Sequence, residues 1–136
     1  MILKIISVAL LALNLNLQKT NQPMIQIFDV KQEKVIKQIS LTHELEQSII
    51  ELLNSDPKIY VGKDMNPKSG LILHLVFENP TKLTSKLYPD LVKEIYLFLE
   101  PGTEPKSLIF FKSTSKFIVV VLKEDNNQFI IKNNLS

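Results

Sequence analysis

The sequence predicts an α+β fold: one domain, mostly antiparallel β-sheet, with one amphipathic helix packed on one face and an N-terminal signal segment before it. Three observations predict it. Leu41, Leu45, Ile49, Leu52 and Leu53 recur at helical spacing and form one apolar stripe. The rest of the chain breaks mainly into short β-rich runs punctuated by Pro, Gly, Asn and Ser. No repeat or long linker separates these runs, and short turns between neighbours favour antiparallel pairing.

In chain order, residues 24–30 and 35–39 have strand character, and the polar stretch between them suits a hairpin. Residues 41–54 form the helix. Ser40 or Thr42 is placed to cap it, and Glu44 and Glu46 set negative charge in its first turn, where the helix dipole favours it. Pro57 disfavours helical geometry at Asp56 and ends the run. Residues 62–70 hold two of the three glycines and Pro67 and read as a loop. Residues 71–77 are apolar on both faces, as in a central strand. Residues 78–89 contain Pro80 and Pro89 and read as irregular. Residues 91–99 fit either a strand or a helix. Pro89 and Pro101 bracket a strand-like length, which favours strand. A turn at 101–105 leads to strands at 107–111 and 116–122, a turn at 124–127, and a last strand at 128–132.

The first 17 residues carry one charge, Lys4, and a nearly unbroken apolar run from Ile5 to Leu13. A polar exit follows, from Gln18 to Pro23. A short basic start, a short apolar run and a polar exit outline a secretory signal. The run is short of the roughly 20 residues that span a bilayer. The expected organisation is a signal segment at 1–17 (the alternatives being an uncleaved anchor, or a strand or buried helix of the domain itself), a polar linker at 18–23, the domain at 24–132, and a C-terminal tail at 133–136. The expected location is extracellular or in the cell envelope, with membrane tethering only if the segment is retained.

Composition narrows the chemistry. The formal charge of +2 exerts no strong pull on nucleic acid. Every basic residue is lysine, so bidentate guanidinium capture of phosphate or carboxylate is excluded. Cysteine is absent, which removes disulfides, thiolate metal sites and thiol nucleophiles. The glycines at 62, 70 and 102 make no phosphate-binding loop, and no G-x-S-x-G turn occurs. No cofactor or metal is expected.

Two histidines remain. His43 falls in the first helical turn, off the apolar stripe, and reads as solvated. His74 falls inside an apolar strand and reads as a buried, hydrogen-bonded core residue. Its alternative role is a general base, with Glu78 or Glu94 as the partner carboxylate. Tyr60, with Lys63 and Lys68 around the 62–70 loop, forms a basic-aromatic rim that could take an anionic wall polymer. Phe117 starts an apolar run that is core or, if one side is open, a docking edge for a partner strand.

Residues 41–111 resemble the uncharacterised small signal-peptide-bearing proteins of low-GC, Bacillus-like Gram-positive bacteria. The resemblance rests on the amphipathic helix, Pro67-Lys68-Ser69-Gly70 before an apolar strand, Leu91-Val92-Lys93-Glu94-Ile95, and Pro105 before Leu108-Ile109-Phe110. It implies an exported single domain and carries over no catalytic residue. The resulting expectation is a non-enzymatic exported domain that acts by surface binding or protein interaction at the envelope. The alternative is a small envelope hydrolase using His74 with a nearby carboxylate. The expected partner is an envelope protein or an anionic wall polymer, and the sequence leaves the oligomeric state open.

Overall fold

A computed structural model of the protein describes residues 23–62 and 65–135. The expected signal segment, residues 1–17, therefore lies outside the described residues. Seven strands form one antiparallel sheet in the order β2-β1-β4-β5-β6-β7-β3. They are β1 (Met24–Asp29), β2 (Lys34–Ser40), β3 (Lys58–Ile59), β4 (Leu71–Thr81), β5 (Val92–Leu99), β6 (Lys106–Phe111) and β7 (Phe117–Val121). Two helices accompany them, α1 (His43–Leu53) and α2 (Asn126–Lys132).

Register explains the layering. Successive side chains on a strand point to opposite faces, so residues opposite one another across the ladder share a face. Ile25, Leu75, Ile95 and Ile109 fall in one row, and Ile27, Leu73, Leu97, Ser107 and Val120 in the next. The apolar members of both rows join Leu45, Ile49, Leu52 and Leu53 of α1 and Phe129 of α2 in the main core. Both helices thus pack on the same face of the sheet. The opposite face carries a second apolar cluster, made of Phe28, Met65, Ile72, Tyr96, Phe98 and Leu108.

Helix α1 begins where its chemistry dictates. The Thr42 hydroxyl accepts from the Leu45 N–H, and Glu44 and Glu46 occupy the first turn. Asn54 closes the helix, and Asp56 turns the chain at a positive φ of 46° before Pro57. Residues 92–99 are a strand, as the bracketing prolines favoured.

Three expectations need correction. Residues 128–132 are not a strand but belong to α2. The Asp125 side chain accepts from the Gln128 N–H and its carbonyl from the Phe129 N–H, which nucleates a helical turn. The segment joins none of the sheet's ladders. Strand β4 also continues through Pro80 to Thr81 instead of turning irregular at Glu78. A register break between Val76 and Thr81 lets a residue with no N–H lie in the strand. The helix count is two rather than one, and the seventh strand is the short β3, which sequence periodicity is too brief to reveal. Leu135, in the expected C-terminal tail, is fully buried in the main core.

Candidate functional site

Strands β4 and β5 are adjacent, and their register sets His74 opposite Tyr96 and Val76 opposite Glu94. His74, Tyr96 and Glu94 therefore share the face away from the helices. His74 Nε2 lies 2.6 Å from Glu94 Oε2, and Nδ1 lies 3.3 Å from Gln26 Oε1 on β1. The Glu94 carboxylate presents an acceptor oxygen, so Nε2 is placed to donate to it, while the role of Nδ1 toward Gln26 follows the tautomer. The imidazole stacks on Tyr96 at 4.3 Å between centroids with 8° between the planes. The Tyr96 hydroxyl donates to the same Glu94 oxygen at 3.5 Å. Burial first, and the adjacent Glu94 charge second, hold the Tyr96 phenol well above the ordinary tyrosine range.

This cluster joins two of the three candidate catalytic residues. Glu78 is not brought in: it is exposed, four residues along β4 from His74, or about 13 Å of strand. His74 is 1 % exposed while Glu94 is 25 % exposed, so the carboxylate meets water and the imidazole does not. A hydrolytic role requires His74 to reach a substrate, and its burial blocks that approach in this conformation. The arrangement satisfies buried polar groups on a sheet face, which is the core-histidine reading of the sequence. Among the described residues, no group of three His, Asp or Glu gathers to hold a metal ion. His43 is exposed at the start of α1.

The candidate binding residues separate. Lys63 lies outside the described residues. Lys68 is exposed, and its backbone N–H donates to Glu100 Oε2 at 2.9 Å, pinning the loop to the end of β5. Tyr60 continues from β3 along β7, with its N–H donating to the Val119 carbonyl at 2.9 Å. Its ring lies under Lys106 Nζ at 5.6 Å, a cation–π contact. Lys106 thus supplies the basic partner of Tyr60. The sequence signal for it is the alternation through Lys106 and Leu108, which sets both on the Tyr96 face.

Phe117 stands at the start of β7, 51 % exposed, with its ring 5.7 Å from Phe110. The docking-edge reading expected the outer side of residues 116–122 to be open. Strand β3 covers part of it, pairing Lys58 with Val121 and Ile59 with Val120. The apolar exposure moves onto the closing segment: Ile59 is 47 % and Val61 90 % exposed. Lys58 and Lys116 are exposed beside them. Ile59 lies in the row of the helix face and Phe117 in the row of the opposite face, so the patch wraps the sheet edge.

A groove lies between the β5–β6 turn and the start of α2. Gly102, Glu104, Glu124 and Asn127 line it, with a volume of about 420 Å³. Asn126 also lines it, and its side-chain amide donates to the Glu100 and Thr103 carbonyls. These bonds fasten α2 to the turn and give Asn126 a structural duty. No helix among the described residues is long and apolar enough to cross a membrane. No protein-family model matches the chain, no curated protein matches it in sequence, and no solved structure matches it.

Proposed function

We propose that this chain is a small non-enzymatic domain, exported to the cell envelope, that works by binding an envelope protein through its β3–β7 edge. The observation that carries the reading is the exposure of Ile59, Val61 and Phe117 together at one edge of the sheet. Clustered apolar exposure on a small domain marks interaction surfaces more than scattered single residues do. Exposed Lys58 and Lys116 border the patch and favour a partner with an acidic rim. The basic start and apolar run of residues 1–17 support export.

The test is fractionation of an expressing low-GC Gram-positive host into medium, envelope and cytoplasm. Wild-type protein is expected in the envelope, and a Val61→Ser, Phe117→Ser double variant in the medium. Both proteins in the cytoplasm, or an unchanged distribution of the variant, overturns the reading. The 2.6 Å contact between His74 and Glu94 favours a second reading, a hydrolase. It requires an activity that His74→Ala abolishes without loss of fold.

A further inference from the structure

We infer that the outer edge of β3 takes an added strand from its partner, an extended polypeptide segment with apolar residues at alternate positions and an acidic residue at either end. The inference rests on the edge-binding reading and names the chemistry of the partner. It starts from the direction of the main-chain groups. The Tyr60 N–H donates to the Val119 carbonyl, so Tyr60 turns its main chain toward β7. In an antiparallel pair, residues alternate between those bonded to the neighbour and those facing away from it. Ile59 and Val61, on either side of Tyr60, therefore turn their N–H and C=O groups outward. Strand β3 ends the sheet order, and no described strand lies beyond it. Donors and acceptors thus face out at alternate positions, the pattern that an incoming strand pairs with.

The side chains narrow the occupant. Ile59 and Val61 are two residues apart and share one face. Both are exposed, and apolar residues at alternate positions of an added strand would cover them. Lys58 stands at one end of the edge, opposite Val121. Lys116 stands at the other, one residue before β7 begins at Phe117. Both lysines are exposed. A second copy of this chain, added antiparallel to β3, would bring the Lys58 end of one edge to the Lys116 end of the other. Like charges repel there, and edge lysines commonly block self-pairing. An anionic polymer would meet the lysines but leave the apolar pair uncovered. A strand with an apolar middle and acidic ends answers the main-chain groups, the apolar pair and the lysines together.

The test uses purified full-length protein and isolated envelopes of a low-GC Gram-positive host, read by co-sedimentation. Val61→Pro keeps an apolar side chain and removes the outward N–H, and proline is tolerated on an edge strand whose N–H faces solvent. It is expected to weaken binding about tenfold, the loss of one main-chain hydrogen bond at an interface. Val61→Ala, which keeps the N–H, should weaken it less. Lys58→Glu with Lys116→Glu should also weaken it, and protease treatment of the envelopes should abolish it. Amide exchange on the wild type needs no variant: Ile59 and Val61 should gain protection when bound. Val61→Pro binding as well as wild type, or no gain of protection at Ile59 and Val61, overturns strand addition. Edge binding then stands if Val61→Ser, Phe117→Ser is still weakened. Undiminished binding by the double glutamate variant overturns the acidic partner, and binding that survives protease overturns a polypeptide one. Self-association of the pure protein that Val61→Pro abolishes makes the occupant a second copy and overturns the inference. No binding by the wild type removes the edge reading itself, and this inference with it.

Discussion

Replacing His74 by alanine is the perturbation that most sharply separates a structural from a catalytic histidine. Three contacts are lost together. The 2.6 Å contact to Glu94 involves a carboxylate, and such bonds contribute about 1.5–3 kcal/mol. Glu94 is a quarter exposed, so water recovers part of this and the lower end applies. Gln26 Oε1 loses its partner within a buried residue, at a cost of about 1 kcal/mol. The stack on Tyr96 contributes about another 0.5–1.5 kcal/mol. The expected loss is about 3 kcal/mol, a large share of the 5–15 kcal/mol typical of a domain. In urea, with a slope of about 2 kcal/mol/M, the midpoint falls by roughly 1.5 M. His74→Phe keeps the stack and most of the volume and should fall by less. Circular dichroism melts in urea measure both. A His74→Ala midpoint within roughly 0.3 M of wild type would refute the structural assignment.

Other consequences follow from particular contacts. Gly70 has φ of +89°, and a Cβ there would sit 2.3 Å from the Leu99 carbonyl oxygen. Gly70→Ala therefore strains the backbone and clashes with it, and should destabilise by about 2 kcal/mol or more in the same melts. Asn126→Ala cuts the two bonds that hold α2 to the 100–103 turn, so amide exchange should speed up across 126–132 before it does in β4 or β5. The pH dependence has two limbs. Asp90 is held below the ordinary carboxylate range by backbone N–H bonds from Ser113 and Leu91. Its contribution is present above the unfolded pKa and fades as pH falls through the lower folded value, so Asp90→Asn should flatten the acid limb. Burial holds the Tyr88 and Tyr96 phenols above the ordinary value of 10.0. Their contribution is complete below that pH and lost as pH rises past it, so alkaline melts should weaken from there upward. A stability curve that is flat at both extremes contradicts these assignments.

What the sequence revealed and what it hid have physical reasons. The α1 stripe was legible because five apolar residues at helical spacing leave one packing solution. Strand β4 was legible because it is buried on both faces and carries an unbroken apolar run. Helix α2 was not, because its short segment alternates as well as it winds. The Asp125 cap, whose side chain accepts from the Gln128 N–H, decides it. Strand β3 is two residues long and carries no period. The His74–Glu94 contact was half legible. Both residues were candidates, but their meeting depends on a β4–β5 register that turn chemistry does not specify by inspection. Lys106 was missed as the partner of Tyr60 because the two are joined only through β7. The second apolar face was hidden because its members are scattered over five segments of chain.

The central claim is that the β3–β7 edge binds at the envelope. The most direct measurement is co-sedimentation of purified full-length protein with isolated envelopes of a low-GC Gram-positive host, wild type against Val61→Ser, Phe117→Ser. Saturable binding by the wild type, weakened at least tenfold (about 1.4 kcal/mol) in the double variant, is the predicted result. Equal binding by the two proteins, or none by the wild type, would contradict the account.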